Sequence, residues 1–219
     1  MKTKAVVFDA YGTLFDVNSA AEKCKDKIGS NWETFANFWR TTQLEYTWLR
    51  SLMKRHKNFW EITEDSLDKS MRVFKIDKNM KNELLDLYKS LSPYPEVKEV
   101  LEKLKNKNLK LAILSNGTPD LLNELVKSNN LMNLFDDLFS IEEVKVYKPD
   151  SKVYEIPVRK YNAKANEITF LSANTWDVSG GGNYGYNSIW VDRNKVEFDV
   201  LDFYPKNKIN NLTQLLDIL

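Results

Sequence analysis

Cysteine and histidine are almost absent from this chain of 219 residues, which contains one of each, Cys24 and His56. A single cysteine excludes an intramolecular disulfide and a metal site built from cysteines. The only histidine lies among charged residues in "KRHKNF", which argues against histidine-led catalytic triads and zinc sites with two histidines. Any chemistry must therefore rest on carboxylates, lysine, hydroxyls and amides.

Long apolar runs and an excess of one charge are also missing. No run approaches the ~18 apolar residues of a membrane span, and the apolar stretch in the start "MKTKAVVFDA" is too short for a signal peptide. The 32 basic and 31 acidic residues nearly cancel, and no basic segment suggests nucleic acid as a partner. We therefore expect a soluble, cytoplasmic protein that binds neither membranes nor nucleic acid.

Four apolar runs are typical of buried parallel strands, because they are continuous rather than alternating. They are "KAVVF", "LKLAIL", "EITFL" and "SIWV". Helical patterns such as "EVKEVLEKLKNK" lie between them. Strands that alternate with helices predict an α/β fold, with helices on both faces of a parallel sheet.

Each of these runs ends at a polar residue. Asp9, Ser115 and Ser172 follow three of them, and Asp192 follows the fourth. In an open parallel sheet, the carboxyl ends of the strands border the ligand crevice. Although polar residues often end strands, three with reactive or hydrogen-bonding side chains favour a site at this edge.

The segment between the first two predicted strands breaks the alternation. The stretch "SNWETFANFWRTTQLEYTWLRSLMKRH" predicts a long helix, opened by a capping box of Ser30 and Glu33. Further helical patterns follow, and no strand is predicted before "LKLAIL". We therefore expect an α/β core domain of residues 1–15 and 99–219, and an inserted all-helical cap domain of residues 16–98.

Glycines form one dinucleotide-like pattern. Gly180, Gly182 and Gly185 match G-x-G-x-x-G. A true fingerprint directly follows a strand and opens a helix, whereas a longer connection precedes Gly180. We therefore expect a flexible turn here rather than a nucleotide site.

Four motifs resemble those of the haloacid dehalogenase superfamily in order and spacing. They are "FDAYGTLFDV", "LSNGT", "VYKPDSKVYE" and "FLSANTWD". Within the insert, "FWRTTQLEYTWLRSLM" is especially similar to the L-2-haloacid dehalogenases. The resemblance implies a Rossmann-like core with a helical cap, a homodimer, no cofactor, and conversion of L-2-haloalkanoic acids to D-2-hydroxyalkanoic acids and halide.

Two positions separate this chain from the phosphatases of that superfamily. Those enzymes carry Asp-x-Asp where this chain has Asp9 and Tyr11, and a magnesium-binding acid where it has Ala173. Magnesium requires oxygen ligands, so phosphoryl transfer is disfavoured. A halide leaves without protonation, so displacement at carbon has no need of the second acid. A phosphatase, or a binding protein without catalysis, remains an alternative on the same fold.

The resemblance also implies residue roles. Asp9 is the expected nucleophile, which forms an ester with the substrate, and the cation of Lys148 keeps it ionised. Asp177 is the expected general base for the hydrolytic water. The implied catalytic set is Asp9, Thr13, Arg40, Ser115, Lys148, Tyr154, Ser172, Asn174 and Asp177. The implied substrate-binding set is Tyr11, Arg40, Leu44, Phe59, Ser115, Asn116, Lys148 and Trp176.

Substrate contacts divide by the group that they hold. The resemblance assigns the substrate carboxylate to Ser115 and neighbouring backbone amides, which suits a turn at a strand end. It assigns the departing halide to Arg40, Asn116 and the ring edge of Phe59. An ordinary place in the core remains open for the aromatic members of the set.

Overall fold

A six-stranded parallel sheet forms the centre of the computed structural model, which describes residues 3–219. The strands are β1 (Ala5–Phe8), β2 (Lys110–Ser115), β3 (Asp137–Ser140), β4 (Ile168–Ser172), β5 (Asn187–Val191) and β6 (Asn207–Ile209). Their order in the sheet is β3-β2-β1-β4-β5-β6, and every neighbouring pair is parallel. The predicted α/β fold is confirmed; β3 and β6 are additions to the four predicted strands.

Helices fill the connections between the strands. The chain forms α1 (Ser19–Lys23), α2 (Lys25–Ile28), α3 (Trp32–Leu52), α4 (Phe59–Phe74), α5 (Lys81–Lys89), α6 (Val97–Asn106), α7 (Pro119–Ser128), α8 (Ser151–Tyr161) and α9 (Thr175–Tyr184). We refer to α1–α5, which all lie between β1 and α6, as the helical insert. Among the described residues, none of the helices combines the length and apolar character that crossing a membrane requires.

β1 lies at the centre of the sheet, between β2 and β4. Its four residues are completely buried, which is why the run is continuously apolar rather than alternating. The backbone N–H of Asp9 donates to the carbonyl of Leu171 at 2.8 Å, so the ladder with β4 extends one residue past β1. The carboxyl ends of three adjacent strands thus meet around Asp9.

The predicted capping box at the start of α3 is wrong. Asn31 is the N-cap residue, and its side chain makes no capping hydrogen bond. Its φ of −92° and ψ of 11° depart from the extended conformation that an N-cap side chain needs. A complete capping box instead starts α4, where the Asn58 side chain accepts from the backbone of Glu61 at 2.9 Å.

The glycine-rich segment is also not the turn that the sequence predicted, because Gly180 and Gly181 lie inside α9. A Cβ atom on Gly180 would lie 2.5 Å from the hydroxyl of Tyr154, and one on Gly181 would lie 2.8 Å from Cδ1 of Phe170. Because glycine has no side chain, α9 can approach α8 and β4 closely at these two positions. Gly185, with a φ of +113°, ends the helix.

The close approach at Gly181 gives a stability prediction. Alanine gains about 1 kcal/mol of helix propensity over glycine, but overpacking against a buried ring costs roughly 1–3 kcal/mol. Gly181→Ala should therefore lower the free energy of unfolding, as measured by urea denaturation. Lys152→Ala, at an exposed position of α8, is the control and should change it by less than about 0.5 kcal/mol. A stabilised Gly181→Ala variant would contradict the tight packing.

Candidate active site

The carboxylate of Asp9 is held by donors on both oxygens. Oδ2 accepts from the Thr13 hydroxyl at 2.9 Å and from the Asn174 side-chain amide at 2.9 Å. Oδ1 lies 3.2 Å from Nζ of Lys148. Asn174 is the N-cap residue of α9, but its side chain binds Asp9 and makes no capping hydrogen bond. The result is a carboxylate with a fixed orientation and 5% exposure.

Lys148 lies between two carboxylates. Its Nζ is 2.8 Å from Oδ2 of Asp177 as well as 3.2 Å from Oδ1 of Asp9, and its side chain is 1% exposed. The backbone N–H of Lys148 donates to Oδ1 of Asn116 at 3.2 Å. Burial lowers the pKa of Lys148, but the two carboxylates outweigh that effect and raise it above its ordinary value. The ammonium therefore stays charged.

Asp177 is completely buried in the first turn of α9. Its Oδ1 accepts from the Tyr154 hydroxyl at 2.7 Å. Burial raises the pKa of Asp177, Lys148 opposes that rise, and the charge of Asp9 adds to it. Burial and the neighbouring Asp177 also raise the pKa of Tyr154 well above its ordinary value. Tyr154 is therefore a neutral donor, and Asp177 is a stronger base than an exposed aspartate.

Both predicted serines shape the loops at strand ends. The Ser115 hydroxyl accepts from the backbone N–H of Gly117 at 3.0 Å, and that of Ser172 accepts from the N–H of Asn174 at 3.1 Å. The two loops thus share one local turn motif. The Ser172 hydroxyl thereby holds the backbone of Asn174, whose side-chain amide binds Asp9. Ser115 is the last residue of β2.

Two members of the predicted halide group, Arg40 and Phe59, lie on the helical insert, whereas the third, Asn116, follows β2. Arg40 of α3 donates to the carbonyl of Tyr11 at 3.3 Å. The rings of Tyr11 and Phe59 have centroids 5.2 Å apart, and both residues are almost fully buried. Leu44, one turn after Arg40, is half-buried. The structure thus brings Arg40, Tyr11 and Phe59 together beside the turn after Asp9.

Trp176 lies at the opposite side, on the first turn of α9. Its ring is perpendicular to that of Trp48 on α3, with centroids 5.4 Å apart. Trp176 is half-buried, so this contact joins α9 to the helical insert.

The sequence analysis missed two groups of supporting residues. Oε1 of Gln43 accepts from Arg40 at 2.9 Å, and its Nε2 lies 3.0 Å from the Tyr88 hydroxyl. The ring of Tyr88 stacks on Tyr11 at 5.7 Å. Arg193 donates through Nε to the carbonyl of Thr13 at 2.8 Å. The only available signal was position: Gln43 lies three residues after Arg40, and Arg193 lies two residues after β5.

The carboxylate–lysine cluster is almost fully buried. Asp9 is the most exposed member of its carboxylate–lysine cluster at 5%, and Ser115 and Asp177 are completely buried. The helical insert also contacts the segment that carries Lys148, because the Tyr147 hydroxyl donates to the carbonyl of Lys57 at 2.7 Å.

Comparisons with known proteins identify the class to which this fold and site belong. The family model described as haloacid dehalogenase-like hydrolase matches residues 3–185. A solved dehalogenase superimposes with a TM-score of 0.97 at 36% identity, covering 99% of this chain and 97% of that one. The chain is therefore a hydrolase of the haloacid dehalogenase-like class.

More specific relatives narrow the family. (S)-2-haloacid dehalogenase 4A of Burkholderia cepacia is 38% identical, over 99% of this chain and 94% of the relative. L-2-haloacid dehalogenase from Xanthobacter autotrophicus, solved with chloropropionic acid covalently bound, is 31% identical with a TM-score of 0.90 and covers 99% of this chain and 98% of that one. This chain belongs to the (S)-2-haloacid dehalogenase family.

The buried cluster predicts that losing its cation destabilises the protein in a pH-dependent way. Lys148→Met leaves two carboxylates buried without a counter-charge and should cost about 3–5 kcal/mol at pH 8. Because Lys148 lowers the pKa of Asp177, its removal raises that pKa further. The folded variant then binds a proton more tightly than the unfolded chain, whose aspartates titrate near ~3.9.

The loss in the Lys148→Met variant should therefore grow with rising pH and shrink as pH falls toward 5. Urea unfolding at pH 5 and pH 8 measures it. The control is Lys57→Met, which breaks an ion pair with Asp65 at 2.7 Å whose side chains are each 36% exposed. That change should cost less than about 1 kcal/mol at either pH. Equal losses in both variants would contradict the electrostatic account.

Proposed function

We propose that this chain hydrolyses L-2-haloalkanoic acids to D-2-hydroxyalkanoic acids and halide, with Asp9 as the nucleophile. The observation that carries the proposal is the environment of Asp9, in which donors bind both carboxylate oxygens. In addition, the residue two positions after Asp9 is Tyr11 rather than a second acid. Relatives named (S)-2-haloacid dehalogenase, matched over nearly the full length, support the same substrate class. The proposed reaction uses no metal or other cofactor.

In the proposed first step, a carboxylate oxygen of Asp9 attacks C2 of the substrate. The new C–O bond forms as the C–halogen pair leaves with the halide, so C2 inverts once and an ester remains on Asp9. Arg40 and Asn116 would bind the leaving halide, and the turn at Ser115 would bind the substrate carboxylate. Lys148 favours the ionised form of the nucleophile before attack.

In the proposed second step, water attacks the carbonyl carbon of the ester. Asp177 takes the proton from this water, which suits a carboxylate whose pKa burial has raised. Asn174 and Ser172 would orient the water and the ester, and Tyr154 would orient Asp177. The tetrahedral intermediate then expels the product alkoxide, which takes the proton from Asp177 to become the 2-hydroxy acid. The second proton of the water stays on the new Asp9 carboxyl group, and its release regenerates the carboxylate.

A magnesium-dependent phosphatase is the weaker alternative on this fold. Magnesium would need open oxygen ligands, whereas Oδ1 of Asp9 faces the ammonium of Lys148 and Oδ2 faces the amide of Asn174. Ala173 stands where phosphatases of the superfamily have an acidic ligand, and its backbone N–H donates to the Thr13 hydroxyl at 2.8 Å. These donors favour a carboxylate acting alone.

A single turnover in heavy-oxygen water tests the proposal. Excess enzyme is mixed with L-2-chloropropionate in the presence of a chelator. Chloride should be released, and mass spectrometry should find the label in the peptide that contains Asp9, while the product of this first turnover stays unlabelled. The reason is that the product hydroxyl comes from the Asp9 carboxylate and the water oxygen replaces it.

Two variants serve as controls for this experiment. Asp9→Asn should release no chloride, whereas Asp86→Asn, which changes an exposed aspartate of α5, should behave as the unchanged protein. Label in the product alone would mean direct attack by water and would remove the covalent step. Phosphate-ester hydrolysis that requires magnesium, without chloride release, would favour the phosphatase.

We also propose that residues 16–98 form a cap that dimerises and that the protein works in the cytoplasm. Support for the dimer is a cluster of exposed apolar side chains at the end of α3: Leu49 is 50% exposed, Leu52 79% and Met53 59%. Osmotic shock should leave the protein in the cytoplasmic fraction. Light scattering on the purified protein should give about 51 kDa, twice the chain mass of 25.6 kDa. Leu52→Glu should shift this mass toward the monomer; a monomeric parent protein would sink the dimer.

A further inference from the structure

Arg193 lies just after β5 and reaches across the sheet edge to the turn that follows β1. Its Nε donates to the carbonyl of Thr13 at 2.8 Å, and its Nη1 lies 2.9 Å from Oε1 of Glu96. The guanidinium carbon stacks 3.7 Å from the ring centroid of Tyr94. The side chain is only 6% exposed. One buried cation therefore makes three contacts with two separate parts of the chain, both of them distant from it in sequence.

We propose that Arg193 is a positioning residue for the reaction at Asp9, an inference that rests on the proposed function. It fixes the backbone of Thr13 and thereby the direction in which the Thr13 hydroxyl points at the nucleophile. Arg193 touches neither the substrate site nor Asp9, so it acts only through Thr13.

The contacts of Thr13 show how this positioning is transmitted. Its carbonyl accepts from Arg193, while its hydroxyl donates to Oδ2 of Asp9 at 2.9 Å and accepts from the backbone N–H of Ala173 at 2.8 Å. Thr13 is completely buried. The backbone and the side chain of Thr13 are therefore both held by hydrogen bonds. A shift of the carbonyl would turn the hydroxyl away from Asp9.

Arg193 also joins the two connections of the helical insert. Glu96 and Tyr94 lie on the connection that returns to α6, and the Tyr94 N–H donates to the carbonyl of Leu14 at 3.0 Å. Although burial raises the pKa of Glu96, backbone N–H groups and the guanidinium hold it below its ordinary value, so Glu96 stays ionised. Arg193 thus adds a side-chain tie between the outgoing connection, which carries Thr13, and the returning one, beside the backbone hydrogen bonds that already join them.

The chemistry of the contact requires arginine. Hydrogen bonding through Nε, ion pairing through Nη1 and stacking of the planar group need a guanidinium, whereas lysine offers one compact ammonium. Nη2 is buried and has no hydrogen-bond partner among the described residues. Such a donor costs stability, so packing alone is a poor explanation for an arginine here.

Arg193→Lys tests the inference. The charge remains, but the three contacts cannot all be made, and misplacement at a nucleophile typically costs up to about 100-fold in rate. We expect kcat for chloride release from L-2-chloropropionate to fall about 10- to 100-fold, with KM nearly unchanged because the substrate contacts remain. Arg159→Lys, at an exposed arginine paired with Glu143, is the matched control and should leave kcat unchanged. Normal kcat in Arg193→Lys would overturn the proposal.

A second pair of variants separates positioning from general damage to the fold. In a Thr13→Val background there is no hydroxyl to aim, so adding Arg193→Lys should lower the remaining kcat less than about twofold. The proposal would be overturned if Arg193→Lys lowered kcat by the same factor in the parent protein and in the Thr13→Val background.

Crystal structures of the parent protein and of Arg193→Lys provide a readout apart from activity. The distance from the Thr13 hydroxyl to Oδ2 of Asp9 should lengthen beyond hydrogen-bond range in the variant. An unchanged distance would overturn the role of Arg193. Failure of the parent protein to release chloride would instead overturn the proposed function, and the two failures are therefore distinguishable.

Discussion

The ammonium of Lys148 lies between the carboxylates of Asp9 and Asp177, in a space that water barely reaches. Without that cation, two like charges would share a buried site, and one of them would have to take up a proton. With it, the two carboxylates can do different work: one is fixed by Thr13 and Asn174, and the other is paired with a neutral tyrosine. The division of labour between nucleophile and base follows from this one ion pair. The parallel sheet contributes to this arrangement because it brings the carboxyl ends of β1, β2 and β4 together.

Much of the fold followed from the sequence because its signals are local and strong. Continuous apolar runs marked the four buried strands, including β1, which has neighbours on both sides. β3 and β6 escaped because "DLFS" and "NKI" are short, partly polar and lie at the two edges of the sheet. The glycines of α9 were misjudged for another reason. Helix propensity disfavours them, but close packing against Phe170 admits no side chain there, and that packing is a tertiary property.

The candidate site divides in a similar way. Strand ends explain why Asp9, Ser115 and Ser172 could be expected to converge, and the motifs supplied Lys148 and Asp177. Which oxygen accepts from which donor is decided by loop conformation, and no spacing in the sequence reveals it. Arg193 is the clearest case, since an isolated arginine after a strand gives no sign that its guanidinium will reach the turn that carries the nucleophile. Supporting residues are found by geometry because their partners are distant in sequence.

The burial of the carboxylate–lysine cluster has a consequence for the entry and exit of ions. In the proposed reaction, one anion and one neutral molecule enter, whereas two anions and a proton must leave. Each cycle therefore generates charge of both signs beside a carboxylate–lysine cluster that is almost fully buried. Because product release rather than chemistry limits the rate of many enzymes, the exit of two anions past the residues that bury this cluster bears on turnover as much as the bond being broken.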